Sequence, residues 1–554
     1  MPSNAGAAEA FREIADLLDV LGERFKPEAY RRAARSIETL TEELAAVAAR
    51  DELRSIPGVG DAIAEKIREY LGTGAIPYLE RLQHDVPAGV VAIMRLPGLG
   101  PKTARRFWVD LGIDGPSALA AAIDAGRLDG VKGFGPKKIA QVRSAVESAR
   151  TAPATGPGRT PIEEVYPVAE RIVRALRARA PADRVEAAGS FRRRRETVGD
   201  LDVLVSSTEP EAVFDAFSAL PEVREVRLRG GTKETVVLSS GLQVDLRVVE
   251  PAAFGAALQY FTGSKDHNVH LRSIARDRGL KVNEYGVYRG DERVAGRTEE
   301  DVYAALGLAW VPPEVREDQG EVEAAARGRA FPRLVDDPDL TGDLHVHLPE
   351  AADAADVDRV RAVARARGVT SLGVVVGGVR TDGSTFVLAA GARARLDARE
   401  ARSAGVWRAV ETGPTGVPLP LRGLEHDYRI VRPTQDAPDP APLAPGAPVP
   451  LVAHLGGAGA EGVGRVRRWV EWAREVGAAV EVGPGPERLD ATWARLARAS
   501  RVPLALPRGL TGPADDPTAP IALGFARRAG AEPQDVRVAP EERRVTRPRP
   551  TGSP

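Results

Sequence analysis

The sequence predicts a multidomain chain in which a helical N-terminal region, an α+β middle region and a C-terminal α/β, (βα) barrel-like region follow one another. Three observations carry this. At 554 residues the chain exceeds the length over which one apolar core keeps growing. Short amphipathic helical patterns broken by Gly-containing turns fill residues 8–150, for example 11–21, 28–40 and 63–71. After a Pro/Gly/Thr-rich linker at 151–158 the apolar period shifts toward two, and from about residue 340 strand-like and helix-like stretches alternate.

The middle region reads as a helix at 162–178 followed by strands at 185–188, 201–205, 235–238 and 243–249. A mixed segment runs to residue 313 and a polar connector to 337. Beyond it, strands at 372–376, 450–453 and 478–482 alternate with helices at 354–367 and 463–476. A Pro/Ala-rich loop at 434–448 interrupts this pattern, and the tail 543–554 reads as disordered. Composition is that of a globular protein, 28% charged and 43% hydrophobic. No apolar run is long enough to cross a bilayer, residues 1–10 carry no secretory pattern and cysteine is absent, so a cytoplasmic protein without disulfides or thiolate metal sites is expected. The net charge of −1 excludes a surface coated uniformly in positive charge. Arginine supplies most of the positive charge, and no lysine follows Lys281.

An approximate repeat occurs at 56–60, 96–100 and 131–135, each copy placing two glycines one residue apart: Gly58 and Gly60, Gly98 and Gly100, Gly133 and Gly135. Helical residues follow each copy, with apolar Ala64, Ala104 and Ile139 at the same offset, and Lys102 and Lys137 stand just after two of the turns. Two glycines let backbone approach a ligand closely, and the following helix start points free N–H groups outward, which suits a DNA phosphate.

The segment 189–202 is the strongest signal. Gly189 and Ser190 open a turn able to present donors to phosphate oxygens, four arginines including Arg193 follow, and Asp200 and Asp202 close the segment two residues apart. On a strand these two carboxylates share a face and repel each other unless a cation lies between them. A second strand carries Asp245 among apolar neighbours. Three carboxylates from two strands can hold a pair of divalent ions about 4 Å apart, the arrangement for in-line displacement at phosphorus.

On these residues, residues 10–315 resemble the family X DNA polymerases. The resemblance extends through 260–268, which is similar to that family's nucleotide-binding signature. It implies a helical lyase-like domain over 1–80, fingers with helix-hairpin-helix motifs over 81–150, a nucleotidyltransferase palm over 151–250 and a thumb over 251–313. The implied activity is template-directed filling of short gaps in DNA repair, with deoxynucleoside triphosphates and gapped or nicked double-stranded DNA as substrates and two Mg²⁺ or Mn²⁺ ions as cofactors. By the same resemblance Asp200 and Asp202 would bind both ions and Asp245 the catalytic one. Arg159, Gly189, Ser190, Arg193, Gly199 and Gly263 would serve the triphosphate. Tyr260 and Phe261 would sit against the sugar, Asn268 would meet the base edge, and Arg272 would contact the template side. A monomer near the nucleoid, without membrane association, is expected.

Lys66 falls where the family's lyase domain places its Schiff-base nucleophile, with Tyr30 and Lys26 at supporting positions. Phe25, Ala62 and Tyr78 stand where lyase-proficient members carry basic or polar residues. Lyase chemistry and plain phosphate contact by Lys66 both stay open. After the connector 314–337, residues 338–542 resemble the PHP phosphoesterase domain of the bacterial and archaeal branch. His345, His347, Glu425 and His454 match its ligand positions, and 486–490 matches a late family segment, but the remaining ligand motifs are missing. A fold retained without its nuclease is implied. A polymerase that also degrades DNA from the 3′ end, a non-enzymatic DNA-end scaffold, and a nucleotidyltransferase with another acceptor are the alternatives.

Overall fold

The computed structural model describes residues 4–23, 26–38, 40, 44–94, 96, 99–128, 131, 134–135, 138–139, 142–143, 146, 159–327, 331–379, 385–397, 406–412, 427–431, 450–453, 455, 460–485, 488–511 and 516–539. It forms two compact units, residues 1–158 with 459–464, and the rest of the chain. No described helix is long and apolar enough to cross a membrane.

The first unit is helical. Helix Asn4–Leu21 buries Ala7, Ala8, Phe11, Ile14, Ala15 and Leu18 along one stripe, the spacing of an amphipathic helix facing a core. Helices Lys26–Glu38, Asp61–Thr73, Pro77–Asp85 and Pro101–Leu111 add to the same core. That core runs without interruption from Ala7 to Val146, so the boundary expected near residue 80 passes through shared packing.

In the second unit a short ribbon, β1 (Thr160–Pro161) with β3 (Thr197–Val198), flanks a five-stranded sheet. Its strands are β2 (Arg184–Ala187), β4 (Asp200–Ser206), β5 (Val223–Gly230), β6 (Lys233–Leu238) and β7 (Gln243–Val249), in the order β2-β4-β7-β6-β5. Only β4 and β7 run parallel, which requires a crossover, and helix Pro210–Ser218 lies within that connection and buries Phe214 and Phe217. β5 is a solvent-facing edge strand, exposed at nearly every position, and it carries none of the apolar alternation that revealed its neighbours.

The expected thumb contains helices Phe254–Thr262, Lys265–Asp277 and Glu299–Ala305 and an antiparallel sheet of β8 (Lys281–Asn283), β9 (Gly286–Arg289) and β10 (Glu292–Ala295). The stretch 314–337, expected as a polar connector, departs from that reading: helix Glu321–Ala326 buries Val322 and Ala325 against Leu271, Tyr303 and Leu306. Its charges misled because they are buried in pairs, Arg316 on Glu299 and Glu321 on His267.

The C-terminal region holds a seven-strand parallel path in the order β11 (Gly342–Val346), β12 (Ser371–Val379), β14 (Val406–Thr412), β15 (Tyr428–Val431), β16 (Leu451–Val452), β17 (Ala479–Glu481) and β18 (Leu504–Ala505), with β13 (Thr385–Val387) antiparallel to β12. The barrel nearly closes through a short return of the chain. Val536 bridges Leu504, Arg537 donates to the Leu504 carbonyl, and a side chain at Gly342 would run into the Val538 carbonyl. This is the (βα) barrel-like architecture expected from the alternation.

One buried ion cluster ties the palm-like sheet to the thumb-like helices. Arg192, just before β3, makes a two-pronged contact with Glu299, its Nη1 and Nη2 each 2.8 Å from a carboxylate oxygen, and the fully buried Arg316 adds a third bond at 2.6 Å. Burial pushes the Glu299 carboxyl up, but Arg316 and Arg192 prevail and bring it down to about 2. Because the folded value lies below the ordinary one of 4.5, stability from this cluster is complete above about pH 4.5 and is lost as the pH falls toward 2. We predict that Glu299→Gln, which strands two guanidinium groups, lowers the unfolding free energy of the second unit at pH 7 by about 3–5 kcal/mol. In denaturant titrations between pH 5 and pH 2 the variant should also show a shallower acid-induced loss than the parent protein; equal acid sensitivity would refute the assignment.

Candidate functional site

The parallel pairing of β4 with β7 sets the centre of the site, because its register places Asp202 directly opposite Asp245 and Asp200 opposite Gln243. Side chains two apart share a face of a strand, so the three aspartates expected from sequence lie on one side of two neighbouring strands. Asp245 is not bare. Its carboxylate accepts from Lys233 Nζ at 2.6 Å and Thr235 Oγ1 at 2.8 Å, both on β6, and from Gln243 Nε2 at 3.3 Å. Asp202 has the opposite condition. Burial first, then repulsion from Asp200 and Asp245, pushes its carboxyl up to about 7, with Lys233 and Arg247 offsetting part of the effect.

Among the described residues no three acidic or imidazole side chains are gathered into a ready-made ion cage. The three aspartates are in register on neighbouring strands, with Asp245 held by a protein ammonium. The donor set nevertheless fits divalent cations: three hard carboxylates, one of them pushed up by burial and by its two acidic neighbours, are what a divalent cation would neutralise.

The turn before β4 is built around Asp202. Gly189 adopts a φ of +62°, and a Cβ there would lie 2.3 Å from Asp202 Oδ2, so both conformation and space exclude a side chain. Ser190 is half-buried in the same turn, and Arg193 closes its last bond to the Gly189 carbonyl. Arg193 is itself held from two sides, its Nε 3.1 Å from Glu317 and its Nη1 donating to the Thr262 carbonyl. A Cβ on Gly263 would lie 3.1 Å from that same Nη1, so two expected triphosphate ligands are neighbours. Across the turn, Arg159 donates to the hydroxyl and carbonyl of Thr197, and its Nη1 would lie 3.3 Å from a Cβ on Gly199.

Helix Phe254–Thr262 carries Tyr260 and Phe261, whose rings meet edge-on with centroids 5.2 Å apart, and Arg247 of β7 covers the Phe261 ring at 4.7 Å. Asn268 is buried, with Oδ1 accepting from Gln259 and Nδ2 donating to the Tyr260 carbonyl, both at 2.7 Å. Its amide therefore also fixes the backbone that presents Tyr260, a role the sequence did not suggest. Arg272, one turn on, is exposed and donates to the Asn268 carbonyl.

In the first unit the repeated turns share one bonding pattern. Val59, Leu99 and Phe134 each donate to the carbonyl three residues back, and Ala64, Ala104 and Ile139 each donate to Gly60, Gly100 and Gly135. Gly58 has a φ of +84°, and a Cβ there would meet Arg32 Cγ at 2.7 Å. Lys102 is exposed. Gly98, Gly133 and Lys137 lie outside the described residues, as does Phe25. Lys66 is half-buried, donates to the Ala62 carbonyl at 3.1 Å and lies 4.9 Å from the centre of the Tyr78 ring, which stacks on Tyr30.

In the barrel, His345 Nδ1 is 3.0 Å from Glu481, and the His345 and His347 Nε2 atoms are 3.0 Å apart. Glu481, on β17, was not recognised from sequence; its other oxygen accepts from Arg488 Nε at 3.1 Å. A guanidinium thus already lies against this carboxylate. Glu425 and His454 lie outside the described residues, and 486–487 of the late segment does as well.

Comparisons with known proteins match the same regions of the chain. The DNA polymerase beta palm family matches residues 159–241 and the DNA polymerase beta thumb family residues 257–317. A helix-hairpin-helix domain matches 2–76 and a SAM-like helix-hairpin-helix tandem 91–148. The chain is 34% identical over 339 residues to the DNA polymerase/3′-5′ exonuclease PolX of Bacillus subtilis, covering 60% of this chain and 58% of that protein. It is 26% identical over 348 residues to DNA polymerase lambda of Rattus norvegicus, covering 57% of this chain and 56% of that one. With DNA polymerase lambda of Arabidopsis thaliana the identity is 22% over 350 residues, covering 56% and 62% respectively. The chain spans less than two thirds of the length of each of these relatives. Paired hairpin, palm and thumb regions, matched in this order over residues 2–317, make this part of the chain similar to the family X DNA polymerases, with a bacterial PolX among its relatives.

Proposed function

We propose that this chain is a DNA-directed DNA polymerase that fills short gaps in nicked or gapped double-stranded DNA, acting as a monomer in the nucleoid. The observation that carries this reading is the parallel register of Asp202 on Asp245 beside a glycine turn that admits no side chain. Asp200, Asp202 and Asp245 would hold two Mg²⁺ or Mn²⁺ ions, which when bound neutralise charge at the reacting phosphorus and activate the primer hydroxyl. Ser190, Arg193 and Arg159, with the close-approach glycines Gly189, Gly199 and Gly263, receive the triphosphate. The edge-on pair Tyr260 and Phe261 supports the sugar, Asn268 positions that pair and meets the base edge, and Arg272 faces the template. The hairpin glycines and Lys102 and Lys137 hold DNA phosphates without reading sequence.

Lys66 is read here as a phosphate contact rather than a lyase nucleophile. Its Nζ already donates to the Ala62 carbonyl and lies over the Tyr78 ring, where lyase-proficient members carry basic or polar residues. The barrel is read as a fold without nuclease activity, a reading supported by the pairing of Glu481 with Arg488. The deciding experiment is primer extension on a one-nucleotide gap with Mg²⁺ or Mn²⁺, beside a 3′→5′ degradation assay on the same DNA. Extension without degradation is expected; degradation without extension would overturn the proposal.

Asp245→Asn should lower nucleotide addition at least about a hundredfold while leaving the Kd for gapped DNA within about twofold, as read by single-turnover kinetics and fluorescence anisotropy. Gly189→Ala should reduce addition similarly, because its methyl group displaces Asp202; addition near the parent rate would show that the turn does not need that space. Binding to gapped DNA should also fall log-linearly with salt and barely depend on sequence, and an anisotropy series in which the salt slope vanished would exclude phosphate capture by the hairpins.

A further inference from the structure

The turn 192–196 that follows the expected phosphate-binding residues is also contacted by the C-terminal barrel. Helix Thr518–Arg528 of the barrel ends beside it, and Arg528 is almost fully buried. Arg528 Nη1 lies 2.8 Å from Glu317 Oε1 and 3.4 Å from the Arg193 carbonyl, while its Nε lies 3.5 Å from Glu196. The same Glu317 oxygen accepts from Arg193 Nε at 3.1 Å, and Arg195 approaches it at 3.9 Å. A second contact seats Arg194, which has a φ of +56° and whose stem occupies the space left by Gly524: a Cβ there would lie 2.5 Å from Arg194 Cγ. Arg495, on barrel helix Ala491–Ala499, donates to the Arg528 carbonyl at 3.2 Å and to Gln319 at 3.0 Å.

Glu317 is thus a shared acceptor. Burial alone would push its carboxyl up, yet Arg193, Arg528 and Arg195 hold it down to about 2, so it stays charged throughout the working pH range. Arg193 spends Nε on Glu317 and Nη1 on the Thr262 carbonyl, and its Nη2 makes no hydrogen bond among the described residues. A guanidinium fixed on two sides with its third nitrogen available is preorganised for an anion, because its rotamer freedom is already lost before the ligand arrives.

We infer that the C-terminal barrel positions the nucleotide site: Arg528 fixes Glu317, and Glu317 fixes Arg193 to meet the phosphates of the incoming deoxynucleoside triphosphate. This rests on the polymerase reading above and gives the barrel a part in it that needs no metal. Arg528 and Glu317 are positioning residues, acting only through Arg193.

The test is steady-state gap filling by the full chain with varied deoxynucleoside triphosphate. Arg528→Gln and Glu317→Gln should each raise the KM for the nucleotide about tenfold, the size of one lost charge-assisted hydrogen bond, with kcat for the bound complex and the Kd for DNA changing far less. Arg528→Lys, which keeps the charge, should recover part of that loss. In an Arg193→Gln background, Arg528→Gln should add no further increase, since the path it acts through is gone. Full additivity in that background, or a folded Arg528→Gln or Glu317→Gln protein with the parent KM and only a lower melting temperature, would overturn the inference and leave the barrel a purely structural support. If Arg528→Gln does not fold, Glu317→Gln carries the same test from the opposite side of the pair. Failure of the parent chain to extend any primer would instead sink the polymerase reading itself.

Discussion

The pairing of β4 alongside β7 in parallel is the constraint from which the rest of the site follows. It sets two carboxylates face to face across one inter-strand spacing, a placement that costs free energy wherever charge is not balanced. The neighbouring structure responds to that cost. Lys233 and Thr235 on β6 take up Asp245, Arg247 lies close enough to ease Asp202, and the backbone at Gly189 folds into a conformation that leaves room for the Asp202 oxygen. A site of this kind is stable only while compensating groups surround it.

Much of this was legible in the sequence because it rests on local chemistry. Glycine spacing announced the three hairpins, and the structure gives each the same pair of backbone bonds. Apolar alternation located β2, β4, β6 and β7 to within a residue or two, and the carboxylates on β4 and β7 stood out as polar residues within apolar strands. The barrel was visible for the same reason, through period changes between buried strands and amphipathic helices.

What escaped depends on distance along the chain. Glu317 and Arg528 are ordinary charged residues in polar stretches, and nothing local marks them as buried; only the fold brings them together across 211 positions. Glu321–Ala326 was taken for connector because its charges are satisfied by His267 and by backbone N–H groups rather than by water. β5 was missed for the converse reason: an edge strand facing solvent needs no apolar alternation. Glu481 was hidden in an apolar strand, and its approach to His345 across the barrel could not be counted from sequence.

The separation between Arg193 and Arg528, 335 positions along the chain, also has a meaning in time. At ribosomal rates of roughly 5–20 residues per second, the helix that ends in Arg528 emerges on the order of tens of seconds after the turn it packs against. During the later part of that interval the nascent chain carries Arg193 and Glu317 with one arginine of their cluster not yet made. The turn 192–196 therefore gains its last partner only after translation of the barrel, and a chain cut short between the two lacks the Arg528 contacts to that turn and to Glu317.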